Sequence, residues 1–293
     1  MSKAIGLIGI GLMGAALTRR LLGAGFEVVG FDVDPDKRAA LEELGGHTAG
    51  SVAEVGRRCR RVFLAVLTID QVEDVIEADG GLLAVSPDEA GSRIAMCVAT
   101  SAPERVAVLA GRTAQRGIVL LDTPVSGSSA QVARGDGLGL IAGDAAAAEE
   151  VADVLDAVYP RRSFIGAAGD ASKAKLAINL VLGLNRVALA EGLVFAKRLG
   201  LDPQTFLDIA RDSAAYSQVM DVKGEKMVRA DYAPQGKIGQ NLKDVRIMLD
   251  EAARLGQGLP LAHVLADLLQ ACVDHGEGER DNCAVIEEIR RRS

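Results

Sequence analysis

A lysine inside an otherwise apolar, helix-forming stretch is the first residue here that could do chemistry. ASKAKLAINLVLG, residues 171–183, carries Lys173 and Lys175 at its head and Asn179 one turn on, then stays apolar for several turns. Asp170 or Ser172 can cap such a helix, which puts Lys175 in its first two turns. There the helix dipole disfavours a positive charge, and burial disfavours it too. Both effects lower a lysine pKa towards the range where it exchanges a proton at neutral pH. Lys175 and Asn179 are four residues apart and share a face, whereas Lys173 meets Ala177 at that spacing. Spacing therefore selects Lys175 as a candidate general acid/base, Asn179 as its helper and Lys173 as a solvated charge. A lysine snorkelling from the edge of a core gives the same pattern.

A second group of residues suits a dinucleotide. GLIGIGLMGAALTRRLLGAGFEVVGFDVD contains G-x-G-x-x-G as Gly9, Gly11 and Gly14, with a strand pattern before it, a helix pattern after it and a second strand behind. Gly9 permits the tight turn, Gly11 lets a pyrophosphate approach the backbone, and Gly14 allows close helix–strand packing. Leu12 and Met13 belong to the same cofactor-binding turn, whose helix N-terminus offers amides to the phosphates. Asp32 lies 18 residues past Gly14, at the end of the second strand. A carboxylate there accepts bonds from ribose hydroxyls and repels a 2′-phosphate, which favours NAD over NADP. The alternative is an aspartate that only caps a turn.

A third group is the glycine-rich segment DTPVSGSSAQVARGDGLGLIAGD, residues 122–144. Ser126, Gly127 and Ser128 offer hydroxyls and unhindered amides that can grip a small anion such as a carboxylate. Taken alone, the segment is better read as an ordinary polar turn between two strands.

The elements that must position these residues fall into two halves. Short β-rich runs (AIGLIGI, EVVGFDV, RVFLAV, RIAMCVA, IVLLDTP, GLGLIAG) alternate with helix-compatible stretches in the first half. This is the rhythm of a doubly wound, mostly parallel α/β sheet. Ser51 with Glu54 reads as a capping box, and Pro103 as the first turn of a helix. From about residue 166 the strand signal stops, and helical patterns run over 172–199, 203–212, 240–255, 261–274 and 281–292. The predicted organisation is a Rossmann domain over 1–163 and an all-helical domain over 164–293.

The chain has 293 residues, a length that suits two domains, with 49% hydrophobic residues and a formal charge of −7. The acidic balance argues against a nucleic-acid partner, and RRCRR (57–61) and RRR (290–292) read as solvated charge. No run of 18 apolar residues lacks a charge, so no membrane span is expected. No signal peptide is read at the N-terminus, which suggests the cytoplasm. Cys59, Cys97, Cys272 and Cys283 form no CxxC pair, and His47, His263 and His275 are scattered, so neither a disulfide framework nor a metal site is expected.

Together GLIGIGLMG, DTPVSGSSAQVARG, GAAGDASKAKLAINL and NLKDVRIMLDEA resemble the β-hydroxyacid dehydrogenase family in the right order and over nearly the whole chain. The resemblance implies a Rossmann domain followed by a helical domain, oligomerisation through the helical half as a homodimer or homotetramer, and an active site in the cleft. It implies Lys175 as catalytic lysine, Asn179 as helper and Ser126-Gly127-Ser128 as the substrate-carboxylate loop. It further implies Thr100 near the nicotinamide, Lys243 as a cofactor-side lysine, and Val66 and Leu67 as cofactor contacts after the third strand of the pattern. The chain departs from the family at Ser128 and Ala171, where glycines are usual, at Ala99, where a serine precedes the threonine, and at Gly236, where an aromatic is common. The implied reaction is hydride transfer between NAD and a short 3-hydroxy acid. The alternatives are NADPH-dependent reduction of a tartronate or succinic semialdehyde, and a nucleotide-binding scaffold without turnover.

Overall fold

The computed structural model describes residues 3–85 and 93–293. It divides into two compact units, Met1–Lys175 and Leu176–Ser293.

The first unit is built on a sheet of β1 (Ala4–Ile8), β2 (Glu27–Phe31), β3 (His47–Thr48), β4 (Arg61–Leu64), β5 (Arg93–Cys97), β6 (Ile118–Asp122), β7 (Val125–Ser126), β8 (Leu138–Ala142) and β9 (Arg161–Gly166). Its order is β3-β2-β1-β4-β5-β6-β8-β7, with β9 against the other side of β8. The first six strands pair in parallel. Their order is that of a dinucleotide-binding sheet, and the winding reverses between β1 and β4. The strands are buried on both faces because side chains alternate: Ile5, Leu7, Phe63 and Met96 fill one core, while Ile8, Val62, Leu64 and Cys97 fill the other.

Several expectations need correction. GLGLIAG forms β8, which pairs antiparallel with β6 and β7 rather than continuing the parallel rhythm. β9 runs across the expected join at 163/164 and carries the sheet to Gly166. Its sequence, RRSFIG, is largely exposed and so lacks a buried strand's apolar run. Ser51 accepts the Glu54 N–H, but the Glu54 carboxylate takes the Gly50 N–H at 2.8 Å, so the capping box is only half formed. The expected 281–292 helix begins at Val285, because Asp281 turns inward to Lys223.

The second unit is helical. The long helix Asp170–Arg198 supplies Leu189, Ala190 and Leu193 to a core shared with Leu242, Val245, Leu265, Leu269 and Ile286. Gly200, at φ +87°, ends it with the Leu201 N–H on the Ala196 carbonyl. By length and composition alone this helix could cross a bilayer. Its buried Arg186 and Asn179, bonded to a neighbouring helix, read it as a core helix. Two pairs of free cysteines are buried, Cys59 and Cys97 in the first unit, Cys272 and Cys283 in the second. Burial pushes the Cys59 thiol up to about 11 and Cys272 to about 12, and raises Cys283 too.

Candidate active site

The carboxyl ends of the parallel strands gather residues far apart in sequence. β1 runs into Gly9, whose φ of +90° only glycine adopts readily. A Cβ there would stand 2.7 Å from the Ala65 carbonyl oxygen and 3.0 Å from the Val66 nitrogen. The turn after β1 is thus packed on the segment after β4 that carries Val66 and Leu67. A Cβ on Gly14 would stand 2.1 Å from the Gly9 carbonyl oxygen, so the helix Leu12–Gly23 sits directly on the turn. Gly11 differs, since a Cβ there would meet nothing within 4 Å.

Leu12–Gly23 begins at Gly11 with no side-chain cap and no acidic residue in its first turn. Several other helices of this unit are capped by their own side chains, as by Asp34, Thr68 and Asp144. Uncapped amides beside an open glycine fit a pyrophosphate. Leu12 is exposed and Met13 half-buried at this start. Asp32 follows β2, and its carboxylate accepts the Ile10 N–H at 2.6 Å and the Asp34 N–H at 2.9 Å. It therefore braces the glycine turn and caps its own turn at Asp34, the alternative the sequence left open beside ribose binding. Thr100 lies just past the end of β5 and is nearly buried.

Burial separates the two lysines. Lys173 is exposed and paired with Asp170 at 2.8 Å. Lys175 is 7% exposed, and its Nζ donates to the Val125 carbonyl at 2.7 Å. Val125 is followed directly by Ser126, so the structure brings the lysine to the Ser126-Gly127-Ser128 turn. Gly127, at φ +145°, makes that turn. Ser128 corrects the expectation that its amide is open to an anion. It caps the helix Ser129–Arg134: its N–H donates to Gln131 Oε1 at 2.9 Å and its Oγ accepts the Gln131 N–H. The pairing S-x-x-Q in the sequence carried that signal.

Asp122 was missed by sequence reasoning. Fully buried at the end of β6, its carboxylate accepts the Ser172 N–H at 2.8 Å and the Ser172 hydroxyl at 3.0 Å. Burial pushes its carboxyl up to about 6, against the opposing pull of the bonds from Ser172 and Gly169.

Within the helical unit Asn179 and Lys243 meet around one carboxylate. Asn179 Nδ2 donates to Asp244 Oδ2 at 3.2 Å, and Lys243 Nζ lies 3.0 Å from Asp244 Oδ1. Two turns along the same face, Arg186 donates to Asn241 Oδ1 at 2.7 Å. Burial pulls the Arg186 guanidinium down to about 10. Gly236 precedes the helix Ile238–Arg254, and its carbonyl accepts the Asn282 N–H. Among the described residues, no three His, Cys, Asp or Glu side chains gather as a metal site.

Two family profiles match the chain: the NAD-binding domain of 6-phosphogluconate dehydrogenase over residues 4–166, and the NAD-binding region of NADP-dependent 3-hydroxyisobutyrate dehydrogenase over residues 169–289. The L-threonate dehydrogenase of Cupriavidus necator is 33% identical over 98% of this chain and 96% of its own length. The chain belongs to the β-hydroxyacid dehydrogenase family. Other relatives of this dehydrogenase include the 2-hydroxy-3-oxopropionate reductase of Escherichia coli, 26% identical over 97% of this chain and 96% of its own. A solved 3-hydroxyisobutyrate dehydrogenase from Salmonella typhimurium superposes with a TM-score of 0.87 at 27% identity, covering 97% of this chain and 99% of that one. The protein is an NAD(P)-dependent hydroxyacid dehydrogenase, an oxidoreductase acting on a CH–OH group.

Proposed function

We propose that the enzyme catalyses reversible hydride transfer between NAD and a short 3-hydroxy acid, with Lys175 as general acid and base. One observation carries the reading: a buried ammonium, Lys175 Nζ, stands 2.7 Å from the carbonyl of the residue preceding Ser126. A proton-transfer group beside an anion-holding turn suits a hydroxyl carried on a carboxylic acid. Ser126 and the Gly127 amide hold the substrate carboxylate. Lys175 takes the hydroxyl proton in oxidation and returns it to the carbonyl oxygen in reduction. Asn179, one turn along the helix and held by Asp244, orients the hydroxyl or the lysine. The nicotinamide, when bound, supplies the hydride acceptor.

Asp32 supports NAD over NADP, since a fixed carboxylate beside the ribose repels a 2′-phosphate. Semialdehyde reduction with NADPH is the rival, and the name of the Escherichia coli relative keeps it in the substrate panel. Gly236, where the family commonly has an aromatic, favours including acids with further hydroxyls, such as L-threonate, the compound that names the Cupriavidus relative. The test is nicotinamide absorbance with NAD or NADP, 3-hydroxyisobutyrate, L-threonate, and tartronate and succinic semialdehydes. Lys175→Ala abolishes turnover and leaves NAD binding nearly intact. Equal turnover in that variant sinks the assignment, and NAD that binds without ever being reduced returns the scaffold reading.

We propose also that the enzyme self-associates through the long helix. Val181 and Phe195 on it leave 59% and 63% of their surface exposed, and Leu199 just past its end leaves 64%, an apolar stretch that a second copy would cover.

A further inference from the structure

We propose that Asp122 is a positioning residue for the reaction: from the end of β6 it splints the first turn of the long helix and so fixes where the Lys175 ammonium stands. This rests on the reading of Lys175 as the proton-transfer group.

The argument begins with where helix caps come from. Elsewhere the capping side chain sits two or three residues before the amide it serves, as with Asp34 on Asp36, Ser128 on Gln131 and Asp202 on Thr205. A local cap satisfies an amide and does nothing more. At the long helix the local candidate, Asp170, turns to the Ala167 N–H and to Lys173. The Ser172 N–H is taken instead by Asp122, a residue 50 positions earlier in another element. The same carboxylate also holds the Ser172 hydroxyl. Two donors of one residue in the helix's first turn converge on one buried side chain.

The second hold lies three residues further along the same strand-end segment. Asp122 grips Ser172, and the Val125 carbonyl receives Lys175 Nζ. Residues 172 and 175 are about one turn apart, so the segment 122–125 holds the helix at two heights. A helix anchored only by the Lys175 bond could rotate or slide about that bond. The Asp122 splint removes that freedom, and reactive geometry is sensitive to displacements of about 1 Å. Asp170 is the charged neighbour facing this carboxylate, and it opposes its ionisation.

Asp122→Ala, Asp122→Asn and Lys175→Ala test this, compared by kcat, substrate KM and NAD affinity. Asp122→Ala lowers kcat about tenfold to hundredfold while KM and NAD affinity stay within about threefold, because the lysine is misplaced and the binding groups are not. Asp122→Asn keeps most of kcat, since its oxygen accepts the Ser172 N–H and its amide donates to the Ser172 hydroxyl. Wild-type kcat in Asp122→Ala overturns the proposal. So does an Asp122→Asn as slow as Asp122→Ala, which makes the charge rather than the splint the active feature. So does a fall confined to KM or NAD affinity. If Asp122→Ala does not fold, the asparagine variant still decides between hold and charge. Lys175→Ala separates the failures: turnover without the lysine sinks the lysine assignment, whereas an inactive Lys175→Ala beside a fully active Asp122→Ala sinks only the splint.

Discussion

Two glycines of one motif, three residues apart, should answer differently to the same added methyl. In Gly14→Ala the Cβ falls 2.1 Å from the Gly9 carbonyl oxygen, a backbone atom with no side chain to swing aside. Ordinary contact begins at about 3.4 Å, so the helix and the turn must part by about 1 Å. Overpacking of this kind costs about 1–3 kcal/mol, and a backbone contact belongs at the upper end. At about 2–4 °C per kcal/mol, the first unit should melt about 6–12 °C lower. In Gly11→Ala the methyl meets nothing within 4 Å and the φ of −71° is ordinary. Its cost is the small preference for glycine over alanine at a helix start, about 1 kcal/mol or less. Its effect appears only when a pyrophosphate lies on that backbone, where it should weaken NAD by at least about tenfold, or 1.4 kcal/mol. The assays are a thermal melt without cofactor and a calorimetric titration with NAD. A Gly11→Ala protein that melts and binds like wild type refutes the placement of the dinucleotide on this turn. A Gly14→Ala protein of unchanged stability refutes the packing argument.

Other outcomes follow from the same geometry. Asp32→Asn should shift preference towards NADP by about tenfold or more, measured as the ratio of kcat/KM values; an unchanged ratio removes Asp32 as the discriminator. Asp122 should make stability depend on pH in a known direction. Its carboxyl is raised from 3.8 to about 6 in the fold. The stability it contributes is therefore complete below pH 3.8 and lost as pH rises through 6, about 3 kcal/mol in all. Asp122→Asn does not titrate, so its melting temperature should rise relative to wild type between pH 4 and 7, and parallel curves would contradict this. Phe195→Glu should reduce the mass measured by light scattering to that of the monomer; a wild-type mass in that variant counts against the long helix as the interface.

The sequence made the cofactor turn legible because its constraints are local. Gly9, Gly11 and Gly14 report a turn and a close approach that few other residues permit, and the alternating apolar runs report the sheet. Helix spacing set Lys175 apart from Lys173, and in the fold the first is buried and the second exposed. What stayed hidden was what distant residues do to one another. Nothing near Asp122 in the chain announces that it holds Ser172, since the two meet only through the sheet. β9 escaped notice because an exposed strand has no apolar run to report. The Ser128 amide was read as open because a serine in a turn looks the same whether or not Gln131 reaches back to it.

The four buried thiols make the protein its own clock. Only a thiolate attacks an alkylating reagent; all four sulfurs are buried, and burial raises the pKa of Cys59, Cys272 and Cys283, so they supply almost none while the fold is closed. Purification therefore needs no reductant for the enzyme's sake, and an inhibitor that acts through cysteine has no handle on the native state. Each unit holds two of the four, Cys59 and Cys97 against Cys272 and Cys283, so peptides resolved by mass after timed labelling give separate opening rates for the sheet and for the helices. NAD bound to the sheet should slow the first pair, and the ratio of the two rates then shows how much of that protection reaches the second.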